Sequence, residues 1–211
     1  MQPAKNYTYL SLGDSYTIGE QVKINESFPY QTVYWLRQQN LHFTAPEIIA
    51  STGFTTDELN AAIDETALLP QYDFVSLLIG VNNQYRGRLV EDFEMDFELL
   101  LNSAIHFAGD QPAHVFVLSI PDWGVTPFAA GSDRPTIAKA IDAFNNVCKR
   151  LTKEKQANYI DITQSQRDDG SNESFLTGDK LHPSAKEYSK WASWLSGQIK
   201  QQLEKEILKS K

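Results

Sequence analysis

Four short stretches of the chain carry side chains whose types and spacing could do chemistry. Gly13-Asp14-Ser15-Tyr16 places a hydroxyl directly after an apolar run. A serine between a strand and a helix can present its oxygen near free helix N–H groups, and it can equally serve as a helix cap. Ser51-Thr52-Gly53-Phe54-Thr55-Thr56 contains a glycine that lets backbone approach a ligand and aim its N–H, or that simply turns the chain. Gly80-Val81-Asn82-Asn83 puts two amides at the exit of an apolar run, where they must find partners or can donate to an oxyanion. Asp179-Lys180-Leu181-His182-Pro183 sets a carboxylate three residues before an imidazole. Such a carboxylate can hold one ring nitrogen and leave the other to take a proton from serine. Of the four histidines, only His182 has this setting. His42 sits in a loop, His114 opens a strand, and His106 falls in a helix whose register makes it a partly covered structural residue. Hydroxyl, backbone N–H, amide donor and Asp–His pair are together the parts that acyl transfer requires.

Those stretches need a scaffold that gathers them. Five β-type runs are expected at Tyr7–Leu12, Glu47–Ala50, Phe74–Ile79, Val115–Ile120 and Ala157–Ile162. Segments of helical spacing alternate with them, at Ser27–Gln39, Thr56–Leu69, Leu89–Phe107, Pro135–Lys153 and Pro183–Leu208. Thr55 or Thr56 is the expected cap of the second, and Pro183 is expected just inside the start of the last. Strand–helix alternation reads as a doubly wound parallel sheet with helices on both faces, whose ligand site lies beyond the carboxyl ends of the strands. Each of the four stretches follows a strand at that end. No linker divides the chain, so residues 1–211 are expected to form a single domain. Gly197–Lys211 is polar and charged and is expected to extend or fray the last helix.

With this order of motifs the chain resembles the SGNH hydrolases, the GDSL lipase/esterase family, from Gly13 to Pro183. The resemblance implies a three-layer α/β/α, flavodoxin-like fold with a five-stranded parallel sheet. It implies Ser15 as nucleophile, Asp179 and His182 as the other catalytic residues, and the N–H groups of Ser15 and Gly53 with the Asn82 amide as oxyanion donors. Two positions depart from the family pattern. Tyr16 replaces the leucine of the nominal tetrapeptide, and Asn83 replaces the aspartate that commonly follows the oxyanion asparagine. The Asn83 amide can still bond nearby backbone, but it brings no charge.

The implied activity is ester hydrolysis through an acyl-enzyme on small soluble esters, since no long insertion separates the motifs. Carbohydrate O-acetylester hydrolysis is a second reading, and a non-catalytic binding protein on the same fold a third. Trp123 and Phe128, after the fourth strand, could wall a substrate pocket or simply pack. Arg86 and Arg88 could reach its mouth or stand as solvated charges. The chemistry needs no metal and no organic cofactor.

Composition narrows the partners. Lys plus Arg number 19 against 27 Asp plus Glu, so the net charge is −8, which disfavours nucleic acid and anionic membranes. The longest stretch without a charged residue, Phe74–Tyr85, is 12 residues, short of the roughly 20 a spanning helix needs. One cysteine, Cys148, excludes an intramolecular disulfide. Met1–Tyr9 has no long apolar run, so no signal peptide is visible and a cytoplasmic location is the default expectation. The oligomeric state leaves no mark in the sequence.

Overall fold

Apolar runs of four or five residues form the centre of the computed structural model, which describes residues 5–209. The strands are β1 (Tyr9–Gly13), β2 (Glu47–Ala50), β3 (Phe74–Leu78), β4 (Val115–Leu118) and β5 (Asn158–Ile160). All pairings are parallel, in the order β2-β1-β3-β4-β5. Every residue of β1, β3 and β4 is buried, as expected of central strands covered on both faces, whereas the edge strand β2 is half-buried throughout. The sheet interior is not wholly apolar. Ser11 and Ser76 face each other in register across β1 and β3, their hydroxyls 2.9 Å apart, and the Tyr9 hydroxyl lies 2.6 Å from that of Ser76. Each of these three hydroxyls thus has a partner, which offsets the cost of burying it.

The helices are α1 (Ser15–Ile18), α2 (Phe28–Gln38), α3 (Thr56–Glu65), α4 (Val81–Tyr85), α5 (Val90–Phe107), α6 (Arg134–Glu154), α7 (Thr163–Asp169) and α8 (Ala185–Lys209). Helices α2 and α8 pack together over one face of the sheet, and α5 packs between α3 and α6 on the other. The result is a three-layer α/β/α arrangement with a five-stranded parallel sheet, as the sequence leads one to expect. Phe93, Phe97, Leu100 and Leu101 form the buried stripe of α5, and Ile137, Ile141, Phe144, Cys148 and Leu151 that of α6. The Phe93 and Phe144 rings meet with centroids 4.7 Å apart. Thr55 caps α3, its N–H donating to Glu58 Oε2 at 2.9 Å. No helix among the described residues is long and apolar enough to cross a membrane.

Three differences from the expected elements have physical reasons. Helices α1, α4 and α7 are four, five and seven residues long, too short for an apolar period to show. Pro183 is not inside α8. It pairs with Leu176 in an isolated antiparallel bridge, a place where its missing N–H costs nothing, and α8 begins at Ala185. His106 is exposed, with Nδ1 3.5 Å from Asp110 across one helical turn, rather than partly covered. Of the expectations for the chain ends, those on Met1–Ala4 and Ser210–Lys211 lie outside the described residues.

β1 must end in glycine because of what stands beside it. A Cβ built at Gly13 would lie 2.4 Å from the carbonyl oxygen of Leu78 and 2.1 Å from the Thr17 hydroxyl. Backbone cannot yield there without opening the β1–β3 ladder. Gly13→Ala is expected to cost about 1–3 kcal/mol of stability, the range for overpacking, read as a lower urea midpoint with an unchanged slope.

Candidate active site

The sheet order makes the site. The strand order reverses at β1: β2 is added on one side of it and β3 on the other, and the crevice at such a switch point is where open parallel sheets hold ligands. Ser15 follows β1, Gly53 follows β2 and Asn82 follows β3, so three loops meet at that crevice. The stretch Thr177–His182 reaches the same place from beyond β5.

Ser15 is the first residue of α1, so its N–H has no intrahelical partner. Asp14 is the cap: its Oδ1 accepts the N–H of Tyr16 at 3.0 Å. His182 Nε2 lies 2.9 Å from Ser15 Oγ, and His182 Nδ1 lies 2.6 Å from Asp179 Oδ2. The other carboxylate oxygen of Asp179 accepts from the N–H groups of Leu181 and His182 at 2.9 and 3.0 Å and from the Thr177 hydroxyl at 2.8 Å. Partial burial works to raise the Asp179 pKa. The hydrogen bonds of His182, with those of Leu181 and Thr177, outweigh it and hold the carboxyl down at about 2. An ionised carboxylate only accepts. The proton of the imidazole therefore sits on Nδ1, and the Nε2 lone pair faces the serine hydroxyl. Thr177 also closes the turn, its N–H donating to the His182 carbonyl at 2.8 Å.

Gly53 has φ +84, the left-handed region that glycine occupies without strain. No group among the described residues takes its N–H. Asn82 Nδ2 donates to the Phe54 carbonyl at 2.9 Å, which spends one N–H of that amide and fixes the direction of the other. Asn83 is fully buried and bonds Thr56 twice: its Oδ1 accepts the Thr56 N–H at 3.1 Å, and its Nδ2 donates to the Thr56 hydroxyl at 2.7 Å. The residue that departs from the family pattern thus holds the start of α3.

Beside Ser15 opens a cleft of about 190 Å³. Its far wall is Val81, Tyr85, Trp123, Phe128 and Leu181. The Trp123 ring is met edge-on by Tyr85 at 5.2 Å and by Phe128 at 6.1 Å, and its Nε1 donates to Gln84 Oε1 at 2.8 Å. Trp123 is buried, while Tyr85 and Phe128 keep about half their surface exposed at the rim. Trp123 and Phe128 thus both line the cleft, and their loop is anchored from below. Asp122 accepts the Gly124 N–H at 2.9 Å and pairs with Arg167 at 2.9 Å, and Phe128 N–H donates to the Lys180 carbonyl at 3.2 Å. Sequence reasoning missed Tyr85 and Leu181, which carry no chemical signal beyond lying next to a motif. Arg86 does not line the cleft. Its Nη2 donates to the Gly53 carbonyl at 2.6 Å, and Arg88 pairs with Asp57 on the surface.

Asp14 is fully buried and its Oδ2 has no hydrogen-bond partner among the described residues. Burial, only partly offset by the Tyr16 N–H, pushes its carboxyl up to about 7. A carboxyl whose folded pKa exceeds its unfolded value near 3.8 supports the fold most fully below that value. The support is lost as pH rises through about 7. Asp14→Asn keeps the cap but cannot ionise. Urea unfolding between pH 4 and 8 is expected to show the wild type losing stability relative to Asp14→Asn as pH rises. Parallel curves would count against a protonated Asp14.

A family model described as GDSL-like lipase/acylhydrolase matches residues 11–190. No curated protein sequence matches the chain. Solved structures of similar fold include a lipase/acylhydrolase from Enterococcus faecalis, with TM-score 0.73 and 20% identity over 92% of this chain and 95% of that one. The acetylxylan esterase Axe2 from Geobacillus stearothermophilus gives TM-score 0.70 and 17% identity over 94% and 96%. The psychrotrophic esterase EstA from Pseudoalteromonas sp. gives 0.64 and 14% over 95% and 98%. At these identities the likeness is one of fold.

Proposed function

The chain belongs to the GDSL-like lipase/acylhydrolase family and is a hydrolase acting on ester bonds, and from that premise we propose that it cleaves small carboxylic esters through an acyl-enzyme on Ser15. The observation that carries this reading is the chain of contacts from Asp179 Oδ2 to His182 Nδ1 at 2.6 Å and from His182 Nε2 to Ser15 Oγ at 2.9 Å. Ser15 Oγ attacks the ester carbonyl carbon as its proton passes to His182 Nε2. The carbonyl oxygen takes the displaced electron pair, and the N–H groups of Ser15 and Gly53 with Asn82 Nδ2 stabilise it. Collapse breaks the bond to the alcohol oxygen, which leaves with the proton from His182. Water then attacks the acyl carbon, giving its proton to His182. Collapse frees the carboxylic acid and returns that proton to Ser15 Oγ. Asp179 holds the imidazole throughout and stabilises its cationic form.

The apolar wall of Val81, Leu181 and three aromatic rings suits a short acyl chain or a small apolar alcohol. Deacetylation of a carbohydrate is the second reading. Supporting it are the half-exposed faces of Tyr85 and Phe128, on which a sugar ring could lie, and the fold likeness to an acetylxylan esterase. Residues 1–211 are proposed to act as one domain, since Ser15 and His182 are 167 positions apart and meet only across the sheet.

Fluorophosphonate labelling followed by peptide mass spectrometry tests the nucleophile. The label is expected on Ser15 and absent from Ser15→Ala, which also loses turnover of p-nitrophenyl esters. A label elsewhere, or none on folded protein, would favour a non-catalytic binding role. Asn82→Ala is expected to lower kcat by about 10²–10³, the usual effect of losing one oxyanion donor. A series of p-nitrophenyl esters of rising acyl length, set against an acetylated xylo-oligosaccharide, separates the two substrate readings.

A further inference from the structure

The loop that carries Gly53 is held through two successive carbonyls. Arg86 Nη2 donates to the Gly53 oxygen at 2.6 Å, and Asn82 Nδ2 donates to the Phe54 oxygen at 2.9 Å. Both donors come from α4 and the residue that follows it, so the segment bearing one oxyanion donor also fastens the loop bearing another. Arg86 reaches further along the same loop. Its Nη1 bonds Glu58 Oε1 at 3.1 Å, and Glu58 Oε2 accepts the Thr55 N–H at 2.9 Å. One planar guanidinium therefore ties down the loop at Gly53 and, through Glu58, at Thr55.

The pairing has little value for stability. Arg86 and Glu58 are both half-exposed, and exposed ion pairs add little to stability. Its effect is on direction. Glycine has the widest backbone freedom of any residue, and nothing on its own side chain restrains Gly53. A Cβ at this position would sit 3.4 Å from Arg86 Nη2, so the guanidinium lies directly against the Cα. Holding the Gly53 carbonyl fixes rotation about the bond from Cα to that carbonyl. The Phe54 N–H donates to the Ser51 carbonyl at 3.2 Å, so the Thr52–Gly53 peptide that bears the Gly53 N–H is held between that closed turn and the anchored Gly53 carbonyl.

Resting on the reading of Gly53 as an oxyanion donor, we infer that Arg86 is a positioning residue for the reaction, aiming the Gly53 N–H at the oxyanion without touching substrate. The oxyanion is absent from the bound ester and forms only in the tetrahedral intermediate and the transition states flanking it, so loss of aim lowers kcat and leaves KM alone.

The test compares Arg86→Gln, Arg86→Lys and Glu58→Gln with the wild type on a p-nitrophenyl ester, with unfolding midpoints measured in parallel. Arg86→Gln is expected to lower kcat about tenfold or more, a fraction of the 10²–10³ that full loss of a donor brings. KM should stay within about twofold and the unfolding midpoint should not move. Glu58→Gln should lower kcat less, because the bond to the Gly53 carbonyl survives. Affinity for a boronic acid, which forms a tetrahedral adduct on serine, should weaken by the same factor as kcat, while inhibition by the product acid should not. Arg86→Lys keeps the charge and an ammonium donor but loses the planar fork that reaches Gly53 and Glu58 together, and should lose part of kcat. It stands as the second variant if Arg86→Gln does not fold. An unchanged kcat in both arginine variants would overturn the inference, as would a raised KM with intact kcat, which would place Arg86 in substrate binding. A wild type with neither turnover nor label on Ser15 would overturn instead the reading on which it rests.

Discussion

Parallel pairing of β1 between β2 and β3 is the constraint from which the site follows. A parallel strand exits at the same end as its neighbours, so each loop that leaves the sheet there is delivered to one edge. Three consecutive exits, at Asp14, Ser51 and Ile79, thereby come within reach of one another, although 25 or more residues separate them along the chain. The contacts that shape the crevice are built on this delivery. The register of Gly13 with Ala50 and Leu78 sets the depth from which all three loops start.

Delivery by the sheet does not by itself orient backbone. Loops at a buried strand exit carry polar groups that water cannot reach, and each must be paired inside the protein. Here the pairing is done by side chains of neighbouring elements, chiefly α4 and α6. Asn82, Asn83 and Arg86 bond the Gly53–Thr56 stretch, and Asn145 bonds the Ile120 N–H at 2.7 Å and the Ile120 carbonyl at 3.0 Å, holding the exit of β4. Satisfying the backbone and aiming the donors are thus one operation. The segment from Asp14 to Thr17 departs from this. The second carboxylate oxygen of Asp14 is buried without a partner, directly before Ser15, and the cost appears as a raised pKa. The Tyr16 and Thr17 hydroxyls are also buried without partners among the described residues.

Much of this was legible in the sequence. Strand and helix order, and the end of the sheet on which the four stretches lie, follow from apolar period and turn residues, because those patterns report burial directly. Element ends were less legible. Tyr7 forms an isolated bridge with Phe43 ahead of β1, and Pro183 forms one ahead of α8, and neither bridge leaves a local pattern. The Asp179–His182 spacing was readable because the turn that joins them is local. The wall of the cleft was read only in part. Trp123 and Phe128 stand out as aromatics after a strand, but Tyr85 reaches them from a different loop. Arg86 was open between the cleft mouth and solvent because its acceptor is a main-chain oxygen 33 positions earlier. A carbonyl has no residue type, so no motif records such a bond.

The contact between Ser15 and His182 closes a loop of 167 positions. During translation His182 leaves the ribosome 167 residues after Ser15. At synthesis rates of about 5–20 residues per second, the interval is on the order of ten seconds or more. Through that interval the hydroxyl has no imidazole beside it, whatever the sheet has already assembled. A nascent chain that has not yet reached His182 lacks this contact, even where its strands are paired. The Asp179–His182–Ser15 arrangement thus forms only after all five strands have been synthesised, rather than growing with them.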